Sequence, residues 1–128
     1  MTNKELLELA AKAAGAEWSD YPDRTPNHWR IKHADGVWRE WNPLTDDGDA
    51  LRLAVKLQLT VANEHLSAGA AYCTRPKPGN GLDEDAFPEV RSGINESELI
   101  PEDYAATRRA ITRAAAEIAR TTDTGGKA

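Results

Sequence analysis

Leu6, Leu9, Ala10 and Ala13 recur at helical spacing near the start of the chain, and Leu7 and Ala14 widen the apolar face. Thr2 and Glu5 stand three apart, as in a capping box where each side chain satisfies an orphan backbone N–H. Gly15 sits where a helix passes into the left-handed conformation and stops. The spacing therefore predicts a helix over residues 3–14. Residues 16–27 are rich in turn formers and carry two prolines, which predicts a loop with a short strand near Trp18. Aromatic and β-branched runs at 28–33 and 37–41 then flank Ala34-Asp35-Gly36 and predict a hairpin. A two-residue Asp-Gly turn would set Ile31 opposite Glu40. A three-residue loop with Gly36 in the left-handed position pairs Trp29 with Trp41 and Arg30 with Glu40, and this register is preferred.

Asn42-Pro43 ends that strand, and Thr45, Asp46 or Asp47 supplies a helix N-cap. Leu51, Ala54, Val55 and Leu57 predict a helix over 47–57. Leu59 and Val61 alternate as in a strand, and residues 69–75 predict another, with Ala70, Tyr72 and Thr74 on one face and Ala71 and Cys73 on the other. Residues 76–99 are rich in proline, glycine and acids and read as a long loop, of the kind that is usually functional or ordered by a partner. Pro101, Glu102 and Asp103 suit the first turn of a final helix reaching about Arg120, whose buried face is expected at Tyr104, Thr107, Ile111, Ala114 or Ala115, and Ile118. The tail 121–128 is expected to fray. These elements describe one α+β domain over 1–120, a small α/β sandwich of three helices and an antiparallel sheet that includes the tryptophan-rich hairpin.

Length and composition narrow the function classes. A chain of 128 residues buries roughly two-thirds of the surface its unfolded form exposes, enough for a single core. A net charge of −5 argues against a general nucleic-acid binder, which neutralises phosphates with Lys and Arg. The single cysteine, Cys73, cannot form an internal disulfide and points to a reducing cytoplasm. No apolar run approaches the roughly 20 residues of a membrane-spanning helix, and acids among the first leucines argue against a signal peptide.

Catalytic signals are weak. His28 and His33 point to opposite faces of one strand, and with His65 they read as ordinary surface or edge histidines. Cys73 reads as a small buried hydrophobe, and no serine sits in a nucleophile elbow. Gly79-Asn80-Gly81 lacks the remainder of a phosphate loop and reads as a turn. Asp46, Asp47 and Asp49 are better explained by helix capping than by calcium. Neither a catalytic group nor a metal set stands out, and no cofactor is implied.

Two excesses remain. On the last helix Arg109, Arg113 and Arg120 fall within about 40° of one another, with Arg108 at the border of the buried face. This stripe suits either an anionic ligand or a solvated helix face. Trp29, Trp38 and Trp41 crowd one hairpin, with Trp18 shortly before it, and a two-stranded ribbon cannot hide large rings on both faces. Such rings beside Arg30, Arg39 and Arg75 suit base stacking, or else a small core and a subunit contact.

At WNPLTDDGDALRLAVKL (41–57) and AATRRAITRAAAEIAR (105–120) the chain resembles small proteins encoded in bacteriophages and prophages, a type described as a phage α-β-α sandwich domain. The resemblance implies an accessory protein made in the host bacterial cytoplasm that antagonises antiviral defence. Members of such groups sequester signalling nucleotides, as the Thoeris anti-defence proteins do, or block a CRISPR complex. On that basis the expectation is a non-enzymatic homo-oligomer that sequesters a small anionic nucleotide, held by Trp41, Asn42, Arg75, Arg108, Arg109 and Arg113. The alternatives are a protein–protein inhibitor whose acidic surface, with Asp83, Glu84 and Asp85, occupies a nucleic-acid groove, or a phage regulatory protein.

Overall fold

A computed structural model of the chain describes residues 1–19, 28–77, 84–93 and 98–125. Gly79-Asn80-Gly81, Asp83 and most of the turn-rich segment 16–27 lie outside the described residues. The element order is α1 (Asn3–Ala14), β1 (Glu17–Ser19), β2 (His28–Lys32), β3 (Trp38–Glu40), α2 (Asp47–Lys56), β4 (Thr60–Glu64), β5 (Ala70–Pro76), β6 (Glu84–Ala86), β7 (Val90–Arg91) and α3 (Pro101–Gly125). Among the described residues this is an α+β fold of three helices and two antiparallel sheets, with α/β sandwich character. The expected sheet is thus divided: β1-β2-β3 form one, and β4-β5-β6 form the other, with β7 also paired to β5.

Local sequence explains the element ends. Thr2 Oγ1 accepts from Glu5 N at 3.1 Å and its hydroxyl donates to Glu5 Oε1 at 3.1 Å, so the capping box at the start of α1 is formed. Gly15 closes the same helix at φ 81°, with its N–H and that of Ala16 both directed to Ala11 O. Lys56 Nζ then donates to Ala14 O at 2.5 Å, setting a cation at the negative end of α1. Asp46 caps α2 by accepting from Asp49 N at 2.8 Å. Leu59 N bonds Ala54 O across the end of α2, and Gln58 takes φ 57° to allow it, a conformation that favours glycine.

The hairpin adopts the three-residue loop. Arg30 lies opposite Glu40, Trp41 N donates to Trp29 O at 2.8 Å, and Gly36 has φ 83°. Asp35 accepts from Val37 N and, through both oxygens, from Arg39. The guanidinium and then the backbone N–H hold its carboxyl well below the usual 3.8, at about 2. A carboxyl depressed in the folded state contributes order above its unfolded pKa and loses it as pH falls through the folded value. A carbon-13 NMR titration is therefore expected to place the Asp35 midpoint near 2, and Arg39→Ala to return it towards 3.8.

α3 packs against α1, α2 and β5. Its buried positions are largely alanine (Ala106, Ala110, Ala114, Ala115, Ala116, Ala119), and Ala110, Ala114 and Ala115 share one core with Ala10, Ala11 and Ala14 of α1. Small side chains on both helices let the backbones approach closely. Cys73 and Ala71 of β5 complete this core, and Trp41 joins it from the end of the hairpin.

Several sequence expectations shift. Tyr104 is 51% exposed, whereas Asp103 beside it is buried. Asp103 Oδ2 accepts from Ile100 N at 2.9 Å, so the inward position of the first turn goes to the residue that caps it. Leu51 and Val55 of α2 are 65% and 69% exposed, while Asp49, Ala50, Leu53 and Ala54 face inward. The 76–99 segment is not wholly a loop, because β6 and β7 add to β5 within it. α3 continues to Gly125, past the expected end near Arg120. No helix among the described residues is long and apolar enough to cross a membrane.

Candidate functional site

A groove of about 750 Å³ lies between α2, β4 and α3. Helical spacing builds two of its walls: Asp47, Ala50, Leu51 and Ala54 repeat along α2, and Asp103, Tyr104, Thr107, Arg108 and Ile111 repeat along α3. Val61, Asn63 and Glu64 come from β4, His65, Leu66 and Ser67 from the turn after it, and Leu99 from the approach to α3. Leu51, Leu66, Leu99 and Tyr104 are large apolar side chains left exposed there. Arg108 ties the two helical walls together, donating from Nε to Leu44 O at 2.9 Å and from Nη1 to Asp47 Oδ1 at 2.7 Å.

A buried polar cluster closes the inner end. His65 is only 5% exposed. Its Nε2 lies 2.8 Å from Thr107 Oγ1, and that hydroxyl donates to Asn63 Oδ1 at 2.6 Å. Nδ1 lies 2.7 Å from Ser92 Oγ, whose hydroxyl also donates to Gly93 O at 3.5 Å. Asp103 Oδ1 lies 3.7 Å from the same nitrogen, is buried, and has no hydrogen-bond partner among the described residues. Ser92 and Asp103 face Nδ1 and Thr107 faces Nε2, but the Thr107 hydroxyl donates to Asn63 rather than to the ring, unlike a triad nucleophile whose proton the imidazole takes. The reading of His65 as a surface or edge residue is thus corrected. No nearby residue signals its role, because Ser92 and Thr107 lie 27 and 42 positions away.

The six residues expected to hold a ligand are not brought to one place. Trp41 is 3% exposed and belongs to the core, not to an open site. Asn42 organises the turn into α2: its N–H donates to Asp49 Oδ2 at 2.9 Å and its Oδ1 accepts from Leu44 N at 3.0 Å. Arg75 lies on β5 opposite Asp85. Arg108 lines the groove, whereas Arg109 and Arg113 line a separate cavity of about 210 Å³ with Met1, Leu6 and Glu117. At 100° per residue Arg108 and Arg109 point to different sides of α3, while Arg109 and Arg113, a turn apart, share one. Arg109 Nη1 also donates to Asn3 Oδ1 at 2.6 Å. The remaining tryptophans divide as well. Trp18 meets Trp29 edge-on with ring centroids 5.2 Å apart, and the Arg30 guanidinium lies 4.8 Å from the centre of the Trp38 ring.

Asp49 is buried and accepts from Arg52 at 2.8 Å as well as from Asn42 N, so capping and pairing occupy the acidic run at 46–49, as its reading as a helix cap expects. Among the described residues no group of three His, Cys, Asp or Glu side chains is placed to hold a metal ion. Burial raises the Cys73 thiol to about 11. Relative to its usual 9.0, that leaves on the order of a hundredfold less thiolate below pH 9. Iodoacetamide is expected to label native protein at least that much more slowly than protein in denaturant; similar rates would contradict the burial. Comparison of the chain with protein-family models, with curated proteins and with solved structures returned no match.

Proposed function

We propose that the protein is a phage-encoded binding protein that antagonises bacterial antiviral defence without catalysing a reaction, and that it engages a host protein through the α2–β4–α3 groove. The observation that carries this reading is the groove itself, a concavity walled by apolar side chains and rimmed by charge. Scattered surface leucines are ordinary, but a contiguous apolar concavity with a polar rim marks a binding surface. Leu51, Leu66, Leu99 and Tyr104 form such a surface. The hydrogen bonds of His65 favour binding over chemistry, since they hold both neighbouring hydroxyls in structural roles. The phage and anti-defence context rests on the resemblance at 41–57 and 105–120.

The groove is less suited to a small anion. Its cation, Arg108, is already engaged by Asp47 and Leu44, and Glu64 and Asp103 add negative charge. A second reading, sequestration of a small anionic nucleotide, is favoured by the Arg109–Arg113 cavity. Bacteria carrying individual defence systems, challenged with phage, separate the two. Expression of the protein is expected to restore plaque formation against one system. The folded Leu51→Ser/Tyr104→Ser variant should fail to do so, while Arg109→Ala/Arg113→Ala should still succeed. The reverse pattern would favour the nucleotide, to be confirmed by calorimetry with a nucleotide panel. Full activity of both variants would sink the groove and the cavity alike.

A further inference from the structure

We infer that the groove receives a basic amphipathic helix of its partner protein, with apolar anchors on Leu51, Leu66, Leu99 and Tyr104 and lysine or arginine heads towards Glu64 and the acidic rim. This rests on the groove being the binding surface and adds the chemistry of its occupant.

Three observations support it. The first is shape: Leu51 and Tyr104 come from the two helical walls and Leu66 and Leu99 from the segments after β4 and before α3, so four exposed apolar side chains line one elongated bed between elements. A helix presents such anchors at i, i+3, i+4 and i+7. The second is charge. The titratable side chains lining the groove are Asp47, Glu64, His65, Asp103, Tyr104 and Arg108. Arg108 is neutralised by Asp47 at 2.7 Å, which leaves Glu64 and Asp103 as the excess. The third is Asp103 itself. It is 1% exposed, Oδ1 has no hydrogen-bond partner among the described residues, and that oxygen lies 3.7 Å from His65 Nδ1. A cation brought to that wall of the groove would offset the cost of burying this carboxyl. Glu64, exposed at the groove edge, offers that cation a direct contact.

The probe is a synthetic leucine–lysine peptide with leucines at i, i+3, i+4 and i+7, compared by calorimetry with its leucine–glutamate counterpart. The lysine peptide is expected to bind one to one and about tenfold or more tighter than the glutamate peptide. Its affinity should fall at high salt and with Glu64→Gln, and be lost in Leu51→Ser/Tyr104→Ser. These substituted side chains are exposed, so the variants should keep the circular dichroism of the parent chain. Equal binding of the glutamate peptide, lost in the double variant, would overturn the basic class and leave the groove reading standing. If neither peptide binds, or if binding survives the double variant, both fall. Concentration-dependent dimerisation abolished by the double variant would instead assign the groove to a second copy of this chain and overturn the proposal.

Discussion

Trp41→Ala is expected to lower the unfolding free energy by about 3–5 kcal/mol, the range for removing a large aromatic side chain from a packed core. For a chain of this length that corresponds to a drop of roughly 10–20 °C in Tm. The indole is 3% exposed and joins Leu53, Ala14 and Ala11 in the core, at the point where the hairpin meets the C-terminal ends of α1 and α2. Truncation would leave a cavity that the surrounding alanines cannot fill. Trp38→Ala provides the control, because that ring is half-exposed and gains mainly from the Arg30 guanidinium; a loss of about 1 kcal/mol or less is expected there. The pair separates two roles for the tryptophans. If Trp41 served a ligand, its removal would abolish binding at little cost in stability. Chemical denaturation of the two variants decides the matter, and equal stabilities would contradict the placement of Trp41.

Whether a tryptophan is in the core or at a site is decided by something local sequence does not contain. Strand alternation puts Trp29 and Trp41 on one face of the ribbon and Trp38 on the other, and that much is readable. Which face meets the helices depends on how α1 and α2 lie against it. The same division runs through the fold. Thr2, Gly15, Asp46 and Gly36 mark their elements because caps and turns are satisfied within a few residues. β6 and β7 have three and two residues, and their order comes from pairing with β5 rather than from a pattern of their own. On α3 a reading that buries aromatic residues chooses Tyr104, yet Asp103 is drawn inward by the Ile100 N–H and lies beside His65. On α2 the apolar Leu51 and Val55 look like core and instead face solvent. The groove was therefore invisible as a site: Leu51 and Tyr104 read as buried positions, Leu66 and Leu99 fit no pattern, and its polar end joins residues far apart in the chain. The arginine stripe shows the converse. Arg109 and Arg113 do share a cavity, as their spacing requires, but no local rule brings Trp41 or Arg75 to them.

His65→Ala should be the second most damaging single change, costing about 2–4 kcal/mol. The imidazole joins the turn after β4 to Ser92 beyond β7 and to Thr107 on α3. Its removal takes a hydrogen-bond partner from Ser92 and from Thr107 and opens a void in a buried position, where each lost hydrogen bond costs about 1–3 kcal/mol at most. Thr107 keeps Asn63 and Ser92 keeps Gly93 O, so the penalty falls mainly on the void. Ser92 N also donates to Gly69 O at 2.8 Å, and this bond holds the end of β7 beside β5. Loss of the side-chain anchor should therefore accelerate hydrogen exchange at Ser92 more than at Cys73 in the middle of β5. A double-mutant cycle with Ser92→Ala should show coupling of about 1 kcal/mol, because the two side chains share one hydrogen bond. His28→Ala, at a half-buried position on β2, supplies the comparison and should cost much less. Equal losses at His28 and His65, or no coupling to Ser92, would mean that the cluster does not hold these segments together. A weakened His65→Ala protein that still folds should also bind the lysine peptide less tightly, since the clamp joins Asn63 and the neighbouring Glu64 of β4 to Thr107 of α3 across the groove.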